Sequence, residues 1–346
     1  MDHKKRFVNF VKNLKKDDHI TIIHDTDADG ICSAVITDRA LKKKGVTVER
    51  FIGARYDNFN ETRLKALNDE GTNKLIIFDF AADQLAEVKK ELDIFDAVLV
   101  VDHHKIYKDL NSKKITFIKA EYLKDLTGSD YCASQMVFDL FSTVVKIPEL
   151  DWLAAIAMIT DMTATKWTTF LNKVYKKYNT SYQELLNVGI VIDTGKQIQP
   201  PQVERILEVV LEAKNFQDIL KSDFAKIAKK LQNEIEFWIA KFEERAEHRG
   251  TTWLYEIDPA NSIGSVVSTL LSLKYPTDTI IITRRNKDMI SINARNHKGK
   301  RAVNDLLERA TKGMKGSNAG GHVPAAGGSI RQKDYAEFKK RLWKLV

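Results

Sequence analysis

Three mostly apolar runs in this chain end abruptly at acids or histidines. Ile20–Ile23 leads into His24-Asp25-Thr26-Asp27-Ala28-Asp29-Gly30, Leu75–Phe78 into Asp79, and Ala97–Val101 into Asp102-His103-His104. Short runs rich in Ile and Val read as strands buried on both faces, as in parallel sheets. Open parallel sheets hold their ligands beyond the carboxyl ends of the strands. Strand ends that carry cation- or phosphate-binding groups restrict the chain to an α/β sheet with its site along one edge.

The intervals carry helical spacing. Residues 3–16 alternate Lys with Phe7, Val8, Phe10, Val11 and Leu14, an amphipathic helix. Helices are expected over 30–41, 61–67 and 83–92, strands over 46–52 and 74–78, and a short edge strand at 116–118. This alternation predicts a doubly wound parallel sheet. Helices over 131–143 and 151–160 follow, and Asp161 ends the second. Residues 165–248 read as helical, broken once at Gln199-Pro200-Pro201, with Phe224–Arg249 as a long connecting helix. Strands then return at 252–257, 279–283 and 289–294, with helices at 263–273 and 303–310. A Gly-rich segment, Gly316–Gly328, precedes a last helix from Lys333. The fold expected is α/β: a doubly wound parallel-sheet domain (1–165), a helical insert and connector (166–249), and a smaller α/β domain with a mixed sheet (250–346).

A length of 346 residues suits two domains of ordinary size. Lys and Arg outnumber Asp and Glu by 55 to 47, and the net charge of +8 favours polyanionic partners. Cys32 and Cys132 alone cannot build a disulfide framework or a Cys-rich zinc site, which fits a reducing cytosol. No apolar run approaches a membrane span and the N-terminus has no signal-peptide core, so a soluble, cytoplasmic protein with no membrane partner is expected.

Asp25, Asp27 and Asp29 alternate, so in an extended segment all of them share one face. Carboxylates packed together repel unless a cation neutralises them. Oxygen ligands suit hard divalent ions, and imidazole suits ions from manganese to zinc. Asp79, His103 and Asp161 would complete such a site. Taken singly, each of these acids reads equally as a helix cap or a solvated group; their recurrence at strand ends favours the metal.

These residues resemble the motif series of the DHH phosphoesterases. The match runs in order through Asp25 with Asp27-Ala28-Asp29-Gly30, Asp79 in Ile77-Phe78-Asp79, Asp102-His103-His104, and Asp161 after Ile159-Thr160. Gly320-Gly321-His322-Val323-Pro324-Ala325-Ala326-Gly327 is similar to the mark of the DHH-associated domain, with Ala319 where a third glycine is frequent. The resemblance covers both ends of the chain and leaves the helical middle unmatched. It implies a pair of manganese ions, with magnesium the alternative. One ion would sit on Asp25, Asp27 and Asp79, the other on Asp29, Asp79, His103 and Asp161, with Asp79 bridging. It also implies that His104 faces the scissile phosphate and that Asp102 orients the histidine pair. Many small members of the family carry a histidine two residues before the position of Asp25, where this chain has Ile23. The Asp25 form looks more like the RecJ-type nucleases.

Ser291, Asn293 and Arg295 alternate along an expected strand and should share a face, with Ile292 and Ala294 inward. Gly320 and Gly321 would let backbone N–H groups approach a phosphate, and His322 adds a donor. Arg295 suits bidentate phosphate contact, and the resemblance singles out Arg295 and His322 as substrate binders. The bland alternatives are a plain turn for the glycines and a solvated face for Lys298, Lys300, Arg301, Lys312 and Lys315. The function expected is a manganese-dependent exonuclease that hydrolyses single-stranded RNA or DNA, or short oligonucleotides, from an end with water activated between two metals. A small-substrate phosphatase or cyclic-dinucleotide phosphodiesterase is the second expectation. A replication or repair interaction protein of the same fold is the third, and residues 166–249 are the expected dock for a helicase or replication protein.

Overall fold

The apolar runs form β1 (Ile20–Asp25), β2 (Val48–Ala54), β3 (Lys74–Phe78), β4 (Ala97–Asp102) and β5 (Ile115–Lys119). The computed structural model describes residues 2–54, 59–298 and 300–346. These strands pair in parallel in the order β2-β1-β3-β4-β5. The order reverses between β1 and β3, which puts the topological switch point, where open α/β sheets bind ligands, at the ends of these two strands.

The helices of this part are α1 (His3–Asn13), α2 (Ala28–Lys43), α3 (Glu61–Asp69), α4 (Val88–Leu92), α5 (Ala120–Leu123), α6 (Ala133–Ser142), α7 (Asp151–Thr160), α8 (Thr168–Tyr178), α9 (Tyr182–Gln197), α10 (Val203–Glu212) and α11 (Phe216–Leu220). The chain crosses the sheet in opposite senses from β1 to β2 and from β2 to β3. Right-handed crossovers therefore put α2 and α3 on opposite faces. On the α3 face, Ile23, Leu75, Ile77, Val98, Val100 and Phe117 bury against Leu64 and Leu67 of α3 and Val88 and Leu92 of α4. On the other, α2 lies on β1 and packs against α6 and α7.

Two compact units divide the chain. One takes the residues up to Lys196 together with Pro201–Ala228, and the other takes Gln197–Pro200 and Lys229–Val346. The second unit is built of the end of α12 (Asp223–Ala240), α13 (Phe242–Arg245), β6 (Glu247–Arg249), β7 (Thr252–Ile257), α14 (Gly264–Lys274), β8 (Thr279–Asn286), β9 (Met289–Arg295), α15 (Val303–Thr311), β10 (Asn318–His322), β11 (Ala325–Arg331) and α16 (Tyr335–Leu345). Its sheet runs β10-β11-β9-β8-β7-β6. β7 and β8 pair in parallel and the other neighbours antiparallel, so the sheet is mixed. Ile281, Ile290, Ile292 and Ala294 bury against Val303, Leu307, Phe338 and Leu342.

Several elements differ from the sequence expectation. The helix expected over 83–92 shrinks to Val88–Leu92, because Asp83 turns inward and is buried. The short strand expected at 116–118 does take the sheet edge, as β5, but runs from Ile115 to Lys119 and is buried throughout. The connecting helix ends early, and Glu247–Arg249 pairs with β7 instead. The Gly-rich segment is not a plain turn: after Gly316, its glycines lie in the β10–β11 hairpin, Gly320 opposite Gly327. A strand of glycines shows no apolar alternation, so periodicity is silent there. Among the described residues no helix is long and apolar enough to cross a membrane.

Candidate metal centre

β1 ends on Asp25 and the chain turns directly into α2. Asp27 caps that helix, its Oδ1 accepting from the amides of Asp29 and Gly30, both at 3.1 Å. Gly30 lets the first turn lie against the strand end; a Cβ there would stand 2.3 Å from the Asp25 carbonyl oxygen. Residues 25–29 are therefore not the extended segment that alternation suggested. Asp29 is already helical, and its carboxylate accepts from the amides of Ala133 (2.8 Å) and Ser134 (2.7 Å) in the first turn of α6. A helix N-terminus favours an anion. Capping and clustering are not alternatives here, because the same acids do both.

Asp79 follows β3 with φ 54°, in the left-handed region, where a non-glycine residue costs roughly 1–2 kcal/mol. Its amide donates to the Val101 carbonyl at 3.1 Å, which fixes it beside the end of β4. Ligand atoms of Asp25, Asp27 and Asp79 all lie within 4.8 Å of one another. Asp29, His103 and Asp161 form a second such group, and Asp79, His103 and His104 a third. His103 Nε2 is 3.2 Å from Asp79, 3.6 Å from Asp161 and 3.9 Å from Asp29. Its Nδ1 donates to the Gly128 carbonyl at 2.7 Å. That bond fixes the ring and directs Nε2 at the acids, the arrangement of a metal-ligating histidine. His104 donates from Nδ1 to the buried Asp102 at 2.7 Å. The expected site residues of the first domain thus converge, although they are spread from 25 to 161. His24 does not join them: it is buried, with Nδ1 on the Asp25 carbonyl at 2.6 Å.

Sequence reasoning passed over two cation groups. Lys119, at the end of β5, pairs in register with Asp102 and is fully buried. Its Nζ donates to Asp102 (2.5 Å), Asp83 (3.1 Å) and the carbonyls of His104 (3.1 Å) and Lys105 (3.3 Å). Asp83 also accepts from the Tyr107 amide at 2.7 Å. This clasp holds the loop that carries His104. The strand-end logic that picked out Asp102 would have found Lys119 as well. The second group comes from the last turns of α9. Lys196 Nζ lies 3.2 Å from Asp27 and 3.7 Å from Asp193. Asp193 in turn accepts from the Ala28 amide at 2.9 Å. The helical segment, unexplained by sequence, therefore reaches the acid loop.

Burial, and then Asp27, push Asp25 up to about 7. Burial also raises Asp161 to about 7, against the pull of His103. Asp29 is raised by burial, and Asp79 is raised well above the usual range by burial and then by Asp29 and Asp27. Asp27 is the exception: burial pushes it up, but the Lys196 ammonium and the Gly30 amide outweigh that and hold it at about 2. Asp102 is likewise buried, yet His104 and Lys119 hold it well below the usual carboxylate range. Burial disfavours protonated His103, but Asp161 and Asp79 prevail and raise it. Without a cation, Asp25, Asp29, Asp79 and Asp161 retain protons that ordinary carboxylates lose.

In the second unit, Ser291, Asn293 and Arg295 alternate with buried Ile292 and Ala294, as expected. Pairing places Arg295, Ala325 and His322 in one row across β9, β11 and β10, and Asn293, Gly327 and Gly320 in the next. Gly321 belongs to the opposite face by alternation. Its φ of +130° and the 2.6 Å between an added Cβ and the Ala325 carbonyl oxygen make it a conformational glycine. Arg295 Nη2 lies 3.4 Å from Ser265 Oγ at the start of α14.

Residues 19–190 match the DHH family, N-terminal domain, and residues 252–346 the DHHA1 domain. The chain belongs to the DHH family. No curated protein sequence matches this DHH protein. Its fold is similar to an exonuclease RecJ bound to manganese, with TM-score 0.72 and 18% identity over 99% of this chain and 93% of that one. RecJ from Thermus thermophilus in complex with Mn2+ gives 0.74 and 17% over 99% of this chain and 54% of that one. CDC45 from Entamoeba histolytica gives 0.61 and 10% over 99% and 98%. At such identities the likeness is one of fold, that of the DHH phosphoesterases.

The residues present fit a divalent cation. Asp79 Oδ1 is buried, and among the described residues no donor meets it in hydrogen-bond geometry, although His103 Nε2 lies 3.2 Å away. Oxygens from several carboxylates with one imidazole nitrogen form the donor set that manganese and magnesium-like ions take.

Proposed function

We propose that this DHH protein is a divalent-metal-dependent phosphodiesterase that degrades single-stranded RNA or DNA, or short oligonucleotides, from an end. The observation that carries the reading is His103, tied through Nδ1 to Gly128, with Nε2 facing Asp79, Asp161 and Asp29 beside the Asp25–Asp27–Asp79 group. This reading assigns one ion, manganese or magnesium, to Asp25, Asp27 and Asp79, and another to Asp29, Asp79, His103 and Asp161, with Asp79 shared. Such a pair supplies an activated water and neutralises charge on a phosphate in displacement.

The chain's own residues do the rest. Asp102 holds the His104 ring so that its other nitrogen can face an arriving phosphate, and Lys119 holds Asp102. The row of Arg295 and His322, with Asn293, Gly320 and Ser291 on the same face, binds a substrate phosphate. Gly321 shapes that hairpin from the other face. The net charge of +8 supports a polyanionic substrate over a small one.

End-labelled RNA and DNA oligomers digested with manganese test this reading, with a dinucleotide and a nucleoside bisphosphate as parallel substrates. A product ladder growing from one end is expected, and a chelator should abolish it. Turnover of the bisphosphate alone would replace the exonuclease reading with a small-substrate phosphatase. Undiminished turnover under chelator would refute the metal.

A further inference from the structure

Lys196 lies beyond the matched DHH domain, in the helical segment. Its Nζ sits 3.2 Å from Oδ2 of Asp27 and 3.7 Å from Asp193. The side chain is one-third exposed (33%). Asp27 spends its other oxygen, Oδ1, on the amides that start α2. The Asp27 oxygen available to a cation beside Asp25 and Asp79 is thus the one Lys196 now holds. An ammonium and a divalent ion on the same oxygen repel strongly.

We propose that Lys196 is a resident counter-cation of Asp27, which the first divalent ion displaces, and whose displaced ammonium then binds the substrate phosphate. The inference rests on the metal reading above. Displacement does not free the ammonium completely. Asp193 keeps it beside the site, and Asp193 is itself fixed by the Ala28 amide at 2.9 Å. Half of the lysine's ion pairing is thereby kept while the other half is given up to the metal. Lys124 and Lys177 pair with Asp139 and Asp151, outside the acid loop, whereas Lys196 is paired to a proposed ligand. The ion pair balances the charge of Asp27 before the metal arrives. It also makes ion entry and phosphate binding reciprocal, because the group that leaves the one anion is offered to the other.

Manganese titration of the full chain by calorimetry, comparing the natural protein with Lys196→Gln and Lys196→Met, tests this. Inorganic phosphate is then titrated into the manganese-loaded proteins and followed by manganese paramagnetic resonance. The neutral variants should bind the tighter-coupled ion on the order of tenfold more strongly, having no competitor. They should bind phosphate on the order of tenfold more weakly. Lys196→Arg should keep its phosphate affinity. Equal or weaker manganese binding in both neutral variants, or unchanged phosphate affinity, overturns the inference and leaves Lys196 as a cap for Asp193. Absence of manganese binding in the natural protein instead overturns the metal reading itself.

Discussion

Replacing Lys119 by methionine isolates what holds the DHH loop in place. Lys119, Asp83 and Asp102 are all fully buried. Burial disfavours the Lys119 ammonium, but Asp102 and Asp83 overcome it and raise its pKa. Methionine fills similar volume without charge, so the cost is electrostatic. Two carboxylates are left in the interior without their cation, and the carbonyls of His104 and Lys105 lose their donor. Stranding a buried charge costs about 3–5 kcal/mol, and a unit of this size loses about 2–4 °C in Tm per kcal/mol. Lys119→Met should therefore lower Tm by about 10 °C and shift the urea midpoint at unchanged slope. Adding Asp83→Asn should recover part of the loss, because it removes one stranded charge. A single variant within about 1 kcal/mol of the natural protein, or a double variant no more stable than the single, would refute the clasp.

The remaining predictions concern the site. Asp79→Asn keeps a residue that tolerates the left-handed backbone but removes the shared ligand charge; hydrolysis of end-labelled oligomer should fall more than about a hundredfold, and near-normal turnover would exclude a shared ligand. Arg295→Ala and His322→Ala should each raise KM for an oligonucleotide about tenfold, the worth of a charge-assisted hydrogen bond; unaltered steady-state kinetics would remove the second unit from substrate binding. Asp25 and Asp161, raised to about 7 chiefly by burial, hold protons that an ion must expel. Manganese affinity should therefore fall as pH drops below about 7, with proton release near about pH 6 seen by calorimetry in buffers of different ionisation heat. By the same sign, these raised acids stabilise the ion-free fold at low pH, and that contribution is lost as pH rises from about 4 through about 7. A pH-independent affinity would contradict the assigned shifts.

What the sequence shows and what it hides follow from the same strand-end geometry. Asp25, Asp79 and Asp102 stand out because a buried strand stops at each, and the parallel sheet brings adjacent strand ends together. Lys119 ends a strand in the same way, but a lone lysine among 55 basic residues carries no motif to mark it. Asp193 and Lys196 were illegible for another reason. Their meaning depends on where α9 docks, and helical periodicity gives a face but no address. The β10–β11 hairpin was hidden because glycine has no apolar side chain to alternate. Conversely, alternation misled over residues 25–29: the Asp27 cap starts the helix early, so Asp29 reaches the cluster through a helical turn and not along a strand.

The amide of Ala28 and the carboxylate of Asp193 meet across 165 residues of chain. During synthesis at about 5–20 residues per second, the acid loop is therefore exposed for roughly ten to thirty seconds before its lysine and its anchor leave the ribosome. For that interval the acid loop lacks both the ammonium and the amide-bound carboxylate that flank it in the folded chain. A chain stalled between residues 161 and 193 would display the proposed ligands without the partner that tempers them.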